Sequence, residues 1–254
     1  MSAPLAERRT PSGLVAGTIA FSSVDGPGNR FVVFLQGCNF DCVACHNPHT
    51  IPGRAAIDGD HQGPQRLRVP DLLHQIGRAA PFIRGITVSG GEATLQAGFV
   101  EALFRAVKED PALAALTCFI DSNGAADPMT WDRLAPLTDG VMVDLKSFDP
   151  EIHHRLTGQG NADVLASIRH LHHLRRLHEV RLLLLAGWND DPALIRRTGE
   201  WLATVDPTMR VKVIGFRLHG ARPHDPPLVE PTAGRLQEAA AILRATAPFD
   251  IAVI

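Results

Sequence analysis

Cys38, Cys42 and Cys45 lie in the run Gly37-Cys38-Asn39-Phe40-Asp41-Cys42-Val43-Ala44-Cys45-His46-Asn47-Pro48, three thiols within eight residues of a chain whose only other cysteine is Cys118. Three thiolates converging from one loop can hold three irons of a [4Fe–4S] cluster and leave the fourth iron without a protein ligand. An open coordination position is a place for chemistry, as it is in a catalytic zinc site. The alternative is a zinc knuckle with His46 or His49 as fourth ligand. Structural zinc sites usually pair two ligand hooks across a longer spacer, and the sequence carries no second hook. A redox thiol pair at Cys42 and Cys45 lacks a thioredoxin-like setting.

Three further groups could serve a ligand beside such a metal. Gly90-Gly91-Glu92 combines a backbone open to close approach with one carboxylate able to pair with an ammonium, although the triplet also suits a tight strand-to-helix turn. Lys146 could meet a ligand carboxylate as a point charge, or stand as an ordinary surface lysine. Asp121 and Asp144, with Ser122 and the carbonyl of Met142, offer hard oxygens for a cation, or else cap turns. An ammonium partner, a carboxylate partner and an open iron together describe a site for the amino-acid end of a methionine-derived cofactor.

These groups need a scaffold that brings them to one end. Apolar runs at 31–36, 85–89, 116–121, 140–145, 180–185, 210–215 and 249–254 read as strands. Helical patterns fall between them at 69–80, 96–109, 128–134, 162–177, 192–205 and 231–245. Val141-Met142-Val143 and Leu182-Leu183-Leu184-Leu185 are apolar throughout, as strands covered on both faces are. Repeated βα units imply a parallel α/β barrel, open or closed, with ligands at the carboxyl ends of its strands. The cysteines follow the first of these strands, Gly90-Gly91-Glu92 the second, Asp121-Ser122-Asn123-Gly124 the third and Asp144-Leu145-Lys146 the fourth. Gly187-Trp188-Asn189-Asp190 follows the fifth and Phe216-Arg217 the sixth. Every polar motif lands at the same end.

The 254 residues suit a single domain over 1–254, with a surface loop at 52–68 rich in Gly, Pro, Asp, Gln and Arg. A formal charge of −2 gives no reason to expect nucleic acid or an anionic membrane as partner. No apolar run approaches the roughly 20 residues of a bilayer-spanning helix. The start carries no apolar signal region, and clustered thiols without a disulfide framework point to a metal-using enzyme of the cytoplasm. His170, His173 and His178 read as a solvated face, and Cys118 as a small buried residue.

With these motifs in order along nearly the whole chain, the sequence resembles radical S-adenosylmethionine (SAM) enzymes. More narrowly it resembles glycyl-radical enzyme activases of the pyruvate formate-lyase activating type. The resemblance rests on Ser23-Val24-Asp25-Gly26-Pro27-Gly28, Gln36-Gly37-Cys38, Cys45-His46-Asn47, Ser89-Gly90-Gly91-Glu92-Ala93, Asp144-Leu145-Lys146 and Gly187-Trp188-Asn189-Asp190-Asp191. Val213-Ile214-Gly215-Phe216-Arg217 with His219-Gly220 is similar to the YjjW-like branch, whose ferredoxin-like insert would need eight further cysteines where only Cys118 remains, so one cluster is implied. The family implies a partial (β/α)6 TIM-like barrel with SAM on the open iron. It implies cluster ligation by Cys38, Cys42 and Cys45, and a SAM site of Ala44, Cys45, His46, Gly90, Gly91, Glu92, Asp144, Leu145, Lys146, Arg181 and Arg217. In that site Gly90 to Glu92 hold the methionine amino group, and Lys146 with Arg181 its carboxylate. It implies a monovalent-cation site at Asp121, Ser122, Met142 and Asp144. Ala44 and Arg217 stand where relatives carry an aromatic residue and a histidine. The implied chemistry is reductive SAM cleavage to a 5′-deoxyadenosyl radical that takes hydrogen from a glycine of a partner glycyl-radical enzyme. Flavodoxin or ferredoxin would supply the electron, and the chain would act as a monomer. A radical SAM enzyme acting on a small molecule or peptide, and a non-enzymatic zinc or thiol protein, are the rival readings.

Overall fold

Strands rich in β-branched and aromatic residues set the architecture. The computed structural model describes residues 11–51 and 63–254, arranged around one sheet of nine strands in the order β3-β1-β2-β4-β5-β6-β7-β8-β9. The strands are β1 (Ser12–Ser22), β2 (Arg30–Leu35), β3 (Gln65–Arg68), β4 (Gly85–Gly90), β5 (Thr117–Ser122), β6 (Gly140–Asp144), β7 (Leu177–Leu184), β8 (Arg210–Gly215) and β9 (Asp250–Val253). From β2 through β4 to β9 every pairing is parallel, whereas β1 runs antiparallel to both β2 and β3. Strands β2, β4, β5, β6, β7 and β8 are the six of a partial barrel. No pairing joins β3 to β9 among the described residues, so the sheet does not close.

The helices α1 (Val69–Ala79), α2 (Ala97–Glu109), α3 (Pro128–Leu134), α4 (Pro150–Thr157), α5 (Ala162–His173), α6 (Pro192–Val205) and α7 (Ala233–Thr246) fill the crossovers. Their starts follow the capping rule: Asp127, Asp149, Asp191 and Thr232 accept backbone N–H groups at the first turns of α3, α4, α6 and α7. Their apolar stripes pack on strand residues that are sealed from solvent, among them Val33, Leu35, Ile86, Val88, Ile120 and Val143. Each such side chain contributes roughly 1.5–3 kcal/mol by leaving water.

Four features differ from the sequence expectation. β1 was not expected, and Gln65–Arg68, expected as the tail of the surface loop, forms β3 on its edge; residues 52–62 of that loop lie outside the described residues. The 162–177 pattern breaks at His173, where Arg175 turns with φ 56° and β7 begins at Leu177, earlier than the expected 180. The helix α4, also unexpected, closes on Gly158, whose φ of 75° is the left-handed end a glycine accepts without strain.

Candidate active site

At the carboxyl end of the barrel a single cavity is lined by Cys38, Cys42, Ala44, Cys45 and His46 from the loop after β2, by Gly90 and Gly91 after β4, and by Asp121 and Ser122 on β5. Asp144 and Lys146 after β6 and Arg181 on β7 complete the wall. Twelve residues proposed from sequence thus meet in one place.

The cysteine loop is anchored from both sides. Gly37 N–H donates to the Thr50 carbonyl and Glu92 N–H to the Gly37 carbonyl, at 2.9 and 2.7 Å. Asp41 and Val43 N–H groups donate to the last carbonyls of α4, on Thr157 and Leu156, both at 2.9 Å. The short helix α4 therefore exists to carry this loop, and its exposed carbonyls are satisfied by it. All three thiols are free and half-buried. Burial pushes Cys38 up to about 11 and Cys42 to about 12, so a metal must displace a proton from each. Cys38 Sγ also accepts from the N–H of Phe40 at 3.4 Å and from Asn123 Nδ2 at 3.9 Å.

The glycine pair is required by contact. A Cβ on Gly91 would stand 2.0 Å from the Gly37 carbonyl oxygen and 3.2 Å from Cys38 Cβ, and one on Gly90 would stand 2.2 Å from Leu35 N. Only backbone fits there, which seats the strand end directly under the cysteine loop.

Glu92 behaves differently from its expected part. Its side chain is absent from the cavity wall and fully buried. One oxygen accepts from Thr94 N–H (3.0 Å), Thr94 Oγ1 (2.6 Å) and Ser122 Oγ (2.8 Å), the other from Asn123 N–H (2.7 Å). Burial raises its carboxyl, and those four donors oppose the rise. The carboxylate ties the β4 turn to the β5 turn, leaving only the backbone of this triplet to face a ligand.

The charged wall is paired. Lys146 Nζ lies 2.6 Å from Asp144 Oδ2. Burial disfavours its charge, but Asp144 and Cys42 outweigh that and hold the ammonium on. Arg181 donates to Glu179 (2.6 Å), to Asp121 (3.0 Å) and to Met142 Sδ (2.7 Å), and Ser89 Oγ donates to Asp121 at 3.0 Å. Glu179 also meets Lys212 at 3.0 Å, extending the network down the barrel interior. Three further expected residues do not line the cavity. Leu145 turns into the core, Met142 is sealed beneath Arg181, and Arg217 points outward to Glu230 at 3.0 Å with 62% of its side chain exposed. Only the Arg217 carbonyl approaches the site, 2.9 Å from His46 Nε2, while the His46 ring stacks on Phe216.

Residues that the sequence did not mark as site residues hold the frame. Asn189 Nδ2 donates to the Lys146 and Leu183 carbonyls, both at 2.7 Å, and its Oδ1 accepts from Leu185 N–H, so the Gly-Trp-Asn-Asp turn straps the β6 and β7 ends together. Gln96 clasps both backbone groups of Leu14 and the Gln36 carbonyl. The polar motif after the fifth expected strand was the signal for Asn189.

The donor set fits a cluster with a ligand beside it. Three unpaired thiols face one cavity, next to a glycine backbone and a cation held over a carboxylate. Among the described residues no three His, Cys, Asp or Glu side chains are grouped to hold a single ion, as separate irons of one cluster do not require. No helix among the described residues is long and apolar enough to cross a membrane.

Known proteins resemble this chain in sequence and in fold. The sequence pattern of the radical SAM superfamily matches residues 32–197. The chain is 35% identical over 218 residues to the pyruvate formate-lyase-activating enzyme of Streptococcus mutans, covering 82% of this chain and 79% of that one. It is 35% identical over 201 residues to the pyruvate formate-lyase 1-activating enzyme of Escherichia coli, covering 76% of each. Among solved structures, a radical SAM methyltransferase from Sphaerobacter thermophilus superposes with a TM-score of 0.68 at 17% identity over 88% of this chain and 66% of that one, a likeness of fold.

Proposed function

The chain belongs to the radical SAM superfamily, and within it to the pyruvate formate-lyase-activating enzymes; from that premise we propose that it activates a glycyl-radical enzyme by hydrogen abstraction from a backbone glycine. The observation that carries the reading is the convergence of the three cysteines, the glycine pair and Lys146 on one cavity. When bound and reduced, a [4Fe–4S] cluster and SAM together supply a 5′-deoxyadenosyl radical for that abstraction.

In this reading Cys38, Cys42 and Cys45 hold the cluster. The backbone of Gly90, Gly91 and Glu92 receives the amino group of SAM, and Lys146 and Arg181 answer its carboxylate. Ala44 and His46 give walls to the rest of the cofactor, with Asp144 contributing at the β6 end, while Leu145, turned into the core, only anchors the stretch between Asp144 and Lys146. Arg217 contributes its carbonyl to His46 and leaves its guanidinium outside. Asp121, Ser122 and Asp144 line the same wall, and with the Met142 carbonyl they would supply the hard oxygens for a monovalent cation. The chain's work is to orient, to hold charge in fixed pairs and to exclude water, since radical transfer needs no general acid or base.

The described residues form one sheet, which supports a single domain built on them. The reducing compartment that free clustered thiols require supports a cytoplasmic place. Flavodoxin or ferredoxin is the proposed electron donor, and a monomer the proposed state. Incubating the reduced, reconstituted protein with SAM and pyruvate formate-lyase as candidate partner tests the function. The expected result is a glycyl-radical signal by electron paramagnetic resonance. Formation of 5′-deoxyadenosine with no protein radical on any glycyl-radical partner would favour a small-molecule or peptide substrate instead.

A further inference from the structure

Beyond the strand-end motifs, one residue reaches the cysteine loop from across the barrel. After β8 the chain crosses the top of the site through residues 216–232, and Phe216 and Leu228 pack with Ala44, Leu156 and Leu185 in a small core of their own. Arg222 sits in this crossing. One terminal nitrogen donates to the Cys42 carbonyl at 2.7 Å and meets the Asp41 carboxylate at 2.7 Å. Its Nε–H is buried and finds no acceptor among the described residues. Its side chain is only 19% exposed, so water screens its charge weakly on the protein side.

A buried donor without an acceptor is costly in a native protein and calls for an explanation. A guanidinium fork presents several N–H groups in fixed directions, so a contact on the Cys42 carbonyl aims the others along the same loop. If Cys38, Cys42 and Cys45 carry the cluster as proposed above, the natural acceptor there is sulfur, and the natural counter-charge is the cluster. Cluster potentials are set by net charge and by hydrogen bonds to the sulfurs. A positive charge favours the reduced state, which carries one more negative charge. We infer that Arg222 is a positioning residue that clips the β8 crossing onto the cysteine loop and raises the reduction potential of the cluster, with Asp41 tempering its charge.

The test is a potentiometric titration of the reconstituted full chain, followed by electron paramagnetic resonance of the reduced cluster, with iron and sulfide content measured on each sample. Arg222→Gln is expected to make reduction about tenfold less favourable at equal cluster content, a shift of about 59 mV to more negative potential for one electron. Arg222→Lys, which keeps charge but loses the fork, falls between. Asp41→Asn moves the potential the opposite way, because the guanidinium charge is no longer tempered. Unshifted potentials in Arg222→Gln and Asp41→Asn would overturn the inference and leave a mere strap. Should Arg222→Gln fail to retain the cluster, Asp41→Asn decides: a positive shift supports the inference, none or a negative one overturns it. An unsubstituted chain that takes up no cluster would instead defeat the cysteine assignment, and the inference with it.

Discussion

Alanine in place of Cys38, Cys42 or Cys45 is expected to abolish both the brown cluster absorption and the cleavage of SAM, whereas alanine in place of Cys118 leaves both at the unsubstituted level. All four thiols are free, so connectivity does not separate them; position does. The first three face one cavity from a loop whose backbone is pinned to Thr50, Glu92, Thr157 and Leu156. With one removed, two thiolates remain for a group that needs three, and the carboxylates of the cavity wall are engaged, Asp144 with Lys146 and Asp121 with Arg181. Cys118 lies inside β5, fully buried, where burial pushes its thiol to about 12 and makes it an inert apolar filler. Its truncation costs on the order of 1 kcal/mol of core packing. Iron and sulfide analysis with the absorption spectrum checks all four variants; full cluster content in any of the first three would contradict the assignment.

Glu92→Ala is expected to have the second largest effect, and to act through the frame rather than through a lost ligand contact. The substitution strips four hydrogen-bond donors of their acceptor, two of them backbone N–H groups that cannot turn elsewhere. The hydroxyls of Thr94 and Ser122 can rotate to other acceptors, so the loss rests mainly on the two backbone donors, at about 1–3 kcal/mol each or about 2–6 kcal/mol in all. That is a large part of a typical stability of about 5–15 kcal/mol. Glu92→Gln keeps one acceptor oxygen, and the hydroxyls of Thr94 and Ser122 can rotate to receive from its amide, so it should lose roughly half as much. Thermal unfolding of the apoprotein measures this without any cofactor present. A Glu92→Ala chain as stable as the parent, yet unable to bind SAM, would return the carboxylate to the role of direct ligand.

What the sequence made legible follows from period and position. Six βα crossovers and the strand ends that carry the motifs could be read because buried parallel strands are short apolar runs, and chemistry-bearing residues sit just past them. β1 escaped because Ser12–Ser22 contains Gly, Ala, Thr and Ser in place of a branched run, and four of its eleven residues are exposed beyond the stretch that β3 pairs. Gln65–Arg68 is too polar to read as a strand, and it is one only because β1 offers it backbone partners. The α4 helix is short and polar, and its carbonyls are paired by a loop more than a hundred residues away, which no local pattern reveals. Direction was the other hidden quantity. Glu92, Leu145, Met142 and Arg217 stand at the expected places, but which way each side chain turns depends on partners from distant strands: Ser122 and Asn123, the core, Arg181 and Glu230. Arg222 carries no motif that single-sequence reading picks out; its meaning comes only from the carbonyl it meets.

The most direct measurement of the account as a whole is anaerobic reconstitution with iron and sulfide, reduction with dithionite, addition of SAM, and quantification of bound metal and of 5′-deoxyadenosine together. The convergence of Cys38, Cys42, Cys45, Gly90, Gly91 and Lys146 predicts one [4Fe–4S] cluster per chain and 5′-deoxyadenosine formed only after reduction. Stoichiometric zinc in place of iron, with SAM left intact, would contradict it.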